Sequence, residues 1–319
     1  MRLKLVPRNT SWNFFLRSKL WIGISIILVV LSLISFFVQS LNFGIDFRGG
    51  TSIRTESSEP INVAAYRNAL SSLDLGDITI SEVFDPSFED DQNVAMIRIQ
   101  AQPDQEAATS ILVENSLQKL REVNEDIKFV SVESVGPKVS GELIRTAIIA
   151  VVLAISAVLF YIWIRFEWQF AVGAISALIH DVILTIGVFS LLQIKFDLAI
   201  IAAILTIVGY SLNDTVVVFD RVRENLRKFK KRSLIEVMNL SINETMSRTV
   251  MTSVTTLLAL ISLFILGGDV IRGFVFAMIW GVVVGTYSSI FIASAILLWT
   301  GVKRDWSKSN AEAGTQVPQ

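Results

Sequence analysis

The chain has 319 residues, a formal net charge of −1 at pH 7 and a mean hydropathy of +0.57. Only 18% of its residues are charged, against about a quarter in soluble proteins, so composition places the chain among membrane proteins. It has no cysteine and one histidine, which excludes disulfides and iron–sulfur clusters and leaves little for zinc or Ser–His catalysis. We therefore expect no enzymatic bond-making and no cofactor.

Six stretches are apolar over about 20 residues, the length that a helix needs to cross a bilayer. They follow an N-terminal arm at 1–19, and we expect them at 20–41, 143–164, 169–193, 198–219, 248–268 and 273–299. The first two are separated by a segment at 42–140, after which residues 141–302 hold helices 2 to 6. A basic loop at 220–247 lies between the fourth and fifth, and a tail at 303–319 ends the chain.

The charges of the connecting segments predict an orientation. The arm holds five Lys/Arg and no acid, and residues 220–247 hold seven Lys/Arg against four Asp/Glu. Residues 41–140 hold eight Lys/Arg against seventeen Asp/Glu. Basic segments stay on the cytoplasmic side, so we expect both termini and the basic loop there and the acidic segment outside. Under a membrane, the basic loop is expected to meet anionic lipid and not nucleic acid; a docking surface for a cytoplasmic partner stays open.

The acidic segment has the pattern of a folded domain. Alternating apolar residues predict four strands, near Ile53, Ile80, Ile97 and Phe129. Two amphipathic stretches predict helices, one from Pro60 and one after Asp104. The order β-α-β-β-α-β is typical of the ferredoxin-like fold. The predicted fold is therefore six transmembrane helices with one ferredoxin-like domain between helices 1 and 2.

Ionisable side chains within spanning helices are costly and mark an interior or an aqueous path. Asp214 lies near the cytoplasmic end of the fourth helix, and Arg248 begins the fifth at a similar depth. Supporting polar residues accompany them: Tyr210, Asn213, Thr252, Ser253 and Thr256. One interpretation is an ion pair that pins two helices. The other is a proton relay, in which Arg248 pairs with ionised Asp214 and stands apart when Asp214 is protonated.

The third helix contains the adjacent pair His180 and Asp181. Neighbouring helical residues point about 100° apart, so we expect that the two cannot face one spot. One can serve the relay while the other bonds a neighbouring helix, and a purely structural role is equally open. The sixth helix has small residues at four-residue spacing, which favours close helix packing: Gly281, Gly285, Ser289 and Ala293.

Four segments resemble a known family. They are the motif FGIDFRGGT at 43–51, VGPKVS at 135–140, GYSLNDTVVVFDR at 209–221 and the Ser/Thr-rich start of the fifth helix at 247–256. Together they resemble the SecF subunits of the bacterial SecD–SecF accessory translocase, within the resistance–nodulation–division superfamily. The resemblance covers roughly residues 12–302, and the motif of the fourth helix is the most specific part.

The resemblance implies a multi-pass protein of the bacterial inner membrane that pairs with SecD in a twelve-helix bundle. It implies that the pair assists the SecYEG channel after SecA has begun export and uses proton flow to draw out unfolded preproteins. YidC and YajC are further candidate partners. By motif position, Asp214 and Arg248 match the proton-pathway residues of the family.

Two other functions stay open. The chain could be a passive assembly or scaffold subunit, in which a structural ion pair would account for Asp214 and Arg248. It could also be a component of a proton-coupled efflux system for small molecules, although its one small acidic outer domain would make a poor drug pocket. The coupling ion is expected to be H⁺, with Na⁺ as an alternative.

Overall fold

The computed structural model describes residues 10–302 except 74, 84–87, 89–91 and 101–109. The first nine residues of the predicted arm and the tail at 303–319 thus lie outside the described residues. In chain order the elements are α1 (Ser18–Gln39), α2 (Ile45–Arg48), β1 (Gly50–Ser57), α3 (Val63–Leu70), β2 (Ile78–Val83), β3 (Asn93–Gln100), α4 (Ser110–Arg121), β4 (Lys128–Val135), α5 (Pro137–Arg165), α6 (Trp168–Leu192), α7 (Leu198–Lys228), α8 (Leu234–Leu266), α9 (Asp269–Ser288) and α10 (Ser294–Thr300).

Six helical spans are long and apolar enough to cross a membrane: α1, α5, α6, α7, α8 and the continuous α9–α10. Each of them overlaps one of the six predicted stretches. Between α9 and α10 the helix widens into a π turn, Ser289–Ala293. π turns inside α-helices occur frequently at functional sites, and this one lies against the buried carboxylates described below.

The small domain between α1 and α5 has the predicted ferredoxin-like architecture. Its four strands form an antiparallel sheet in the order β2-β3-β1-β4. Helices α3 and α4 cover one face, and the core between sheet and helices contains Ile53, Leu70, Ile97, Leu120 and Ile127. The first helix begins at Val63 and not at the expected Pro60, because the side chain of Asn62 caps it by accepting from the amide of Ala65.

The structure corrects the prediction of a basic loop at 220–247, because most of this segment is helical. Helix α7 continues to Lys228, and α8 begins at Leu234 behind a capping box formed by Ser233 and Glu236. Polar contacts join the two extensions, among them Asn225 Nδ2 to Ser241 Oγ at 3.0 Å. Hydropathy marks the part of a helix that is apolar and not where the helix ends, so the expected boundaries at 219 and 248 fell short. Helix α5 likewise begins before the expected 143.

The segment after α1 is fastened to the connection between α6 and α7. The amide of Gly44 donates to the carbonyl of Phe196 at 2.8 Å, and the amide of Phe196 donates to the carbonyl of Asn42 at 2.8 Å. In addition, Asp46 Oδ2 accepts from the amide of Leu198, the first residue of α7, at 3.1 Å. The FGIDFRGGT motif therefore holds the start of the helix that carries Asp214.

Replacing Asp46 with Ala should destabilise the start of α7 by about 1 kcal/mol, because it leaves a terminal amide of that helix without its carboxylate partner. Asp46→Asn is the matched control, since its side-chain oxygen can still accept from the amide of Leu198. Thermal unfolding of the purified protein measures the difference. Equal unfolding temperatures for the Ala and Asn variants would show that this contact adds nothing to stability.

Candidate functional site

Asp214 is held by hydroxyl groups from two other helices. Its side chain is 7% exposed. Thr249 Oγ1 on α8 donates to Asp214 Oδ1 at 2.7 Å, and Ser289 Oγ at the start of the π turn donates to Asp214 Oδ2 at 2.9 Å. The carboxylate thus joins α7, α8 and the α9–α10 span through uncharged donors.

Arg248 does not contact Asp214 directly. Within the described part of the chain no ion pair joins the two, and the Arg248 side chain lies on an exposed face of α8. The physical reason is helical geometry: Thr249 faces Asp214, and its neighbour Arg248 points about 100° away. The ion pair of the first interpretation is therefore not formed among the described residues, and Arg248 stands apart from Asp214.

The other predicted polar residues lie in different surroundings. Asn213 and Thr252 are exposed and are not among the hydrogen-bond partners of Asp214, whereas Thr256 is half-buried. Ser253 Oγ bonds Thr286 Oγ1 at 2.7 Å and so links α8 to α9. Tyr210 is half-buried, and its hydroxyl has no hydrogen-bond partner among the described residues.

His180 and Asp181 form a second buried cluster. Asp181 is 1% exposed, and its Oδ2 accepts from Ser211 Oγ at 2.6 Å and from Ser288 Oγ at 2.8 Å. His180 Nδ1 lies 3.0 Å from Asp181 Oδ1. The expectation that this pair cannot meet at one spot is wrong, because the imidazole reaches back to the neighbouring carboxylate although the Cβ directions diverge.

Thr249→Val removes the hydroxyl that donates to Asp214 while keeping the shape of the side chain. We expect it to destabilise the protein by about 1–3 kcal/mol, since a buried acceptor then lacks a partner. Thr249→Ser should restore stability. Thr252→Val is the control, because that exposed hydroxyl bonds only backbone carbonyls of its own helix and its loss should cost less than about 0.5 kcal/mol. Thermal unfolding of the purified variants distinguishes the two, and equal losses would contradict this role of Thr249.

Comparison with known proteins identifies the family. The model described as "Protein export membrane protein SecD/SecF, C-terminal" matches residues 115–303, and the model "SecD/SecF GG Motif" matches residues 34–61. The chain is 58% identical over 315 residues to the protein translocase subunit SecF of Cereibacter sphaeroides, covering 99% of this chain and 97% of that protein. The chain belongs to the SecF family. It is also 57% identical over 315 residues to SecF of Rhodobacter capsulatus, covering 97% of this chain and 95% of that protein.

Solved SecDF structures resemble the SecF-family chain in fold. The crystal structure of SecDF from Thermus thermophilus, a translocon-associated membrane protein, matches with a TM-score of 0.80 and 34% identity over 94% of this chain. A SecDF structure in a super-membrane-facing form matches with a TM-score of 0.69, also at 34% identity, over 98% of this chain. The chain spans about two fifths of the length of those SecDF chains. Family membership and the six apolar helices make it a multi-pass membrane protein.

Sequence analysis missed two residues that contact Asp214. Thr249 lies beside the predicted Arg248, and Ser289 was assigned only to helix packing. The available signal was the adjacent pair Ser288 and Ser289 followed by Ser294 in a mostly apolar helix. Hydroxyl groups in such a helix need a partner, but the sequence does not show that the helix widens into a π turn there.

Proposed function

We propose that this chain is the SecF subunit of a SecD–SecF translocase and that, with SecD, it uses the proton gradient to promote translocation and release of preproteins. The observation that carries the proposal is the buried carboxylate of Asp214, which accepts hydrogen bonds from uncharged hydroxyls. The side chain of Arg248, which begins the predicted fifth span, is exposed and does not pair with it. A carboxylate that can change its charge and its partner is a two-state element.

The mechanism follows from the chemistry of the two side chains. Ionised Asp214 attracts Arg248, which keeps its own proton under all ordinary conditions. Protonation of Asp214 removes that attraction, so the hydroxyls of Thr249 and Ser289 suffice as partners. A proton that crosses a potential of 100 mV releases about 2.3 kcal/mol, enough to shift an equilibrium more than tenfold. Because Asp214 and its donors lie on three helices, this change moves α7 relative to α8 and the π turn.

SecD is the proposed partner. Polar side chains on α7 and α8 are exposed at the membrane level of this chain: Thr206, Asn213, Arg248, Thr252 and Thr255. Exposure of such groups to lipid is costly, so a second helical subunit that covers them would be stabilising. The related SecDF chains are longer than this one, and we propose that SecD supplies the missing half. SecYEG, SecA, YidC and YajC follow from the proposed role as further partners.

The proposed orientation places the protein in the bacterial inner membrane with the ferredoxin-like domain in the periplasm and both termini in the cytoplasm. Helix α7 begins at the domain and has 31 residues, so its far end lies about 46 Å away. That end and the connection to α8 hold the basic residues Arg221, Arg223, Arg227, Lys228, Lys230, Lys231 and Arg232. Basic residues at this end support a cytoplasmic placement.

The proposal is tested by release of a secretory protein from spheroplasts that contain SecD and either this chain or an empty vector. With the chain present, we expect release to be faster than with the empty vector. A protonophore should abolish this gain in rate, and a sodium ionophore should leave it unchanged. Equal sensitivity to the protonophore with and without the chain would refute proton coupling through this subunit. Sensitivity to the sodium ionophore alone would assign the coupling to Na⁺.

A passive assembly subunit is the second candidate, because the hydroxyl contacts of Asp214 could simply fasten α7 to its neighbours.

The small-molecule efflux hypothesis has less support. A cavity of about 550 Å³ lies between the sheet and the nearby helix ends. Charged residues line it, among them Arg54, Arg98, Asp197 and Asp269. Burial lowers the pKa of Arg98, and Asp269 and Asp197 act in the opposite direction. Such a lining differs from an apolar drug pocket.

A further inference from the structure

We propose that Asp181, together with His180, is a second proton-binding site, and that the widened helix at Ser288 and Ser289 links its occupancy to that of Asp214. The inference rests on the proposed function, because it adds a second station to the same coupling path. It is carried by the burial and contacts of Asp181 and His180 and by the serines that bond the two carboxylates.

The buried pair has no compensating cation among the described residues. Asp181 is 1% and His180 6% exposed, and Asp181 pairs with no other cation among the described residues. With a neutral imidazole and an ionised carboxylate the pair has a charge of −1, and one bound proton makes it neutral. Burial of an uncompensated charge costs several kcal/mol. His180 Nε2 is also buried without a hydrogen-bond partner among the described residues, which leaves one ring nitrogen unused.

The hydroxyls around Asp181 suit both protonation states. Ser211 and Ser288 donate to the carboxylate in the structure, and a hydroxyl can rotate to accept when the carboxyl carries the proton. A metal cation would instead need a cage of several oxygen ligands. The described side chains offer one carboxylate and two hydroxyls at this point, and they already bond one another. The site therefore fits a proton better than Na⁺.

Two adjacent serines connect the two carboxylates. Ser288 Oγ donates to Asp181 at 2.8 Å and Ser289 Oγ donates to Asp214 at 2.9 Å. The π turn begins at Ser289, and Ser294 Oγ donates to the carbonyl of Ser289 at 3.2 Å. A shift of this turn that follows one carboxylate must therefore move the donor of the other.

Helix α7 provides a second connection. Ser211 Oγ donates to Asp181 at 2.6 Å, and the carbonyl of Ser211 accepts from Thr215 Oγ1 at 3.0 Å, one residue beyond Asp214. Asp181 thus accepts from α7 and from the end of α9, while Asp214 lies on α7 itself and accepts from Ser289 in the same α9–α10 span. Apart from His180 beside it, the titratable or charged groups in the apolar stretches 20–39, 146–164, 198–219, 248–266 and 273–299 of the other helices are Tyr161 on α5, Tyr210 and Asp214 on α7, Arg248 on α8 and Tyr287 on α9.

Infrared difference spectroscopy of the purified SecD–SecF complex tests the inference, because a protonated carboxyl group has a carbonyl band that an ionised one lacks. Spectra recorded across a pH series should contain two buried-carboxyl components. Asp181→Asn should remove one and Asp214→Asn the other, while Asp220→Asn, an exposed carboxylate on α7 paired with Arg165, should remove neither. Co-purification with SecD confirms that each variant is folded, and Asp181→Glu should restore a component.

The link between the sites has its own readout. Ser288→Ala should alter the Asp214 component although Ser288 does not contact Asp214. A spectrum of Asp181→Asn identical to wild type would overturn the second site and leave the proposed role of Asp214 intact. Loss of the Asp181 component on addition of NaCl at constant pH would overturn its assignment to a proton. An unchanged Asp214 component in Ser288→Ala would overturn the link.

Discussion

Asp214→Asn should leave the complex with SecD assembled and abolish the part of protein release that depends on the proton gradient. Asparagine has nearly the same shape, and its amide can still bond the hydroxyls of Thr249 and Ser289, so the helices stay joined. It cannot change its charge, however. Without the drive of about 2.3 kcal/mol per 100 mV, release should slow by more than about tenfold in energised cells.

The measurement follows a pulse-labelled secretory protein released from spheroplasts whose native subunit is replaced by the variant, with and without a protonophore. Release by Asp214→Asn should be slow and indifferent to the protonophore. Asp220→Asn is the matched control on the same helix, because its exposed carboxylate pairs with Arg165 and its loss should leave release unchanged. If Asp214→Asn cells release protein rapidly and the protonophore still slows them, Asp214 is a structural contact and the passive subunit is the better description.

The sequence was sufficient for the architecture because the signals were local and repeated. About 20 apolar residues in each span predicted six helices, and alternation around Ile80 and Ile97 predicted paired strands. Helix ends were harder to predict from the sequence, since the extensions of α7 and α8 beyond the apolar stretches are polar and stabilise each other. Asn225 and Ser241 meet only because the connection of five residues folds α8 back along α7.

The site was predictable in part. An aspartate in an apolar helix points to an interior position whatever the fold, and Asp214 is indeed buried. The direction of Arg248 depends on the rotation of α8, which places Thr249 inward. The bond between His180 and Asp181 depends on a side-chain conformation that residue spacing does not determine. The π turn at Ser289 is a local widening of the helix that residue spacing does not reveal, and the carboxylates bonded by Ser288 and Ser289 lie on other helices.

The largest effect on stability is expected from Gly187→Ala, where α6 crosses α1. A methyl group added at Gly187 would lie 2.7 Å from Ser32 Cα and closer still to its side chain. Because backbone must move to admit it, the cost should be about 1–3 kcal/mol or more. The same movement would disturb the bonds from Ser35 Oγ to Ser190 Oγ at 3.0 Å and from Ser190 Oγ to the carbonyl of Ser40 at 2.9 Å.

Gly23→Ala on α1 is the control, since beyond the neighbouring backbone of α1 no atom of the described residues lies within 4 Å of the added methyl group. Alanine also favours a helix over glycine by about 1 kcal/mol. Thermal unfolding of the purified protein and its steady-state level in cells should both fall for Gly187→Ala and hold or rise for Gly23→Ala. Ser32→Gly in the Gly187→Ala background removes the clashing side chain and should restore part of the loss. A Gly187→Ala protein as stable as wild type would contradict the close packing of α1 on α6 at this position.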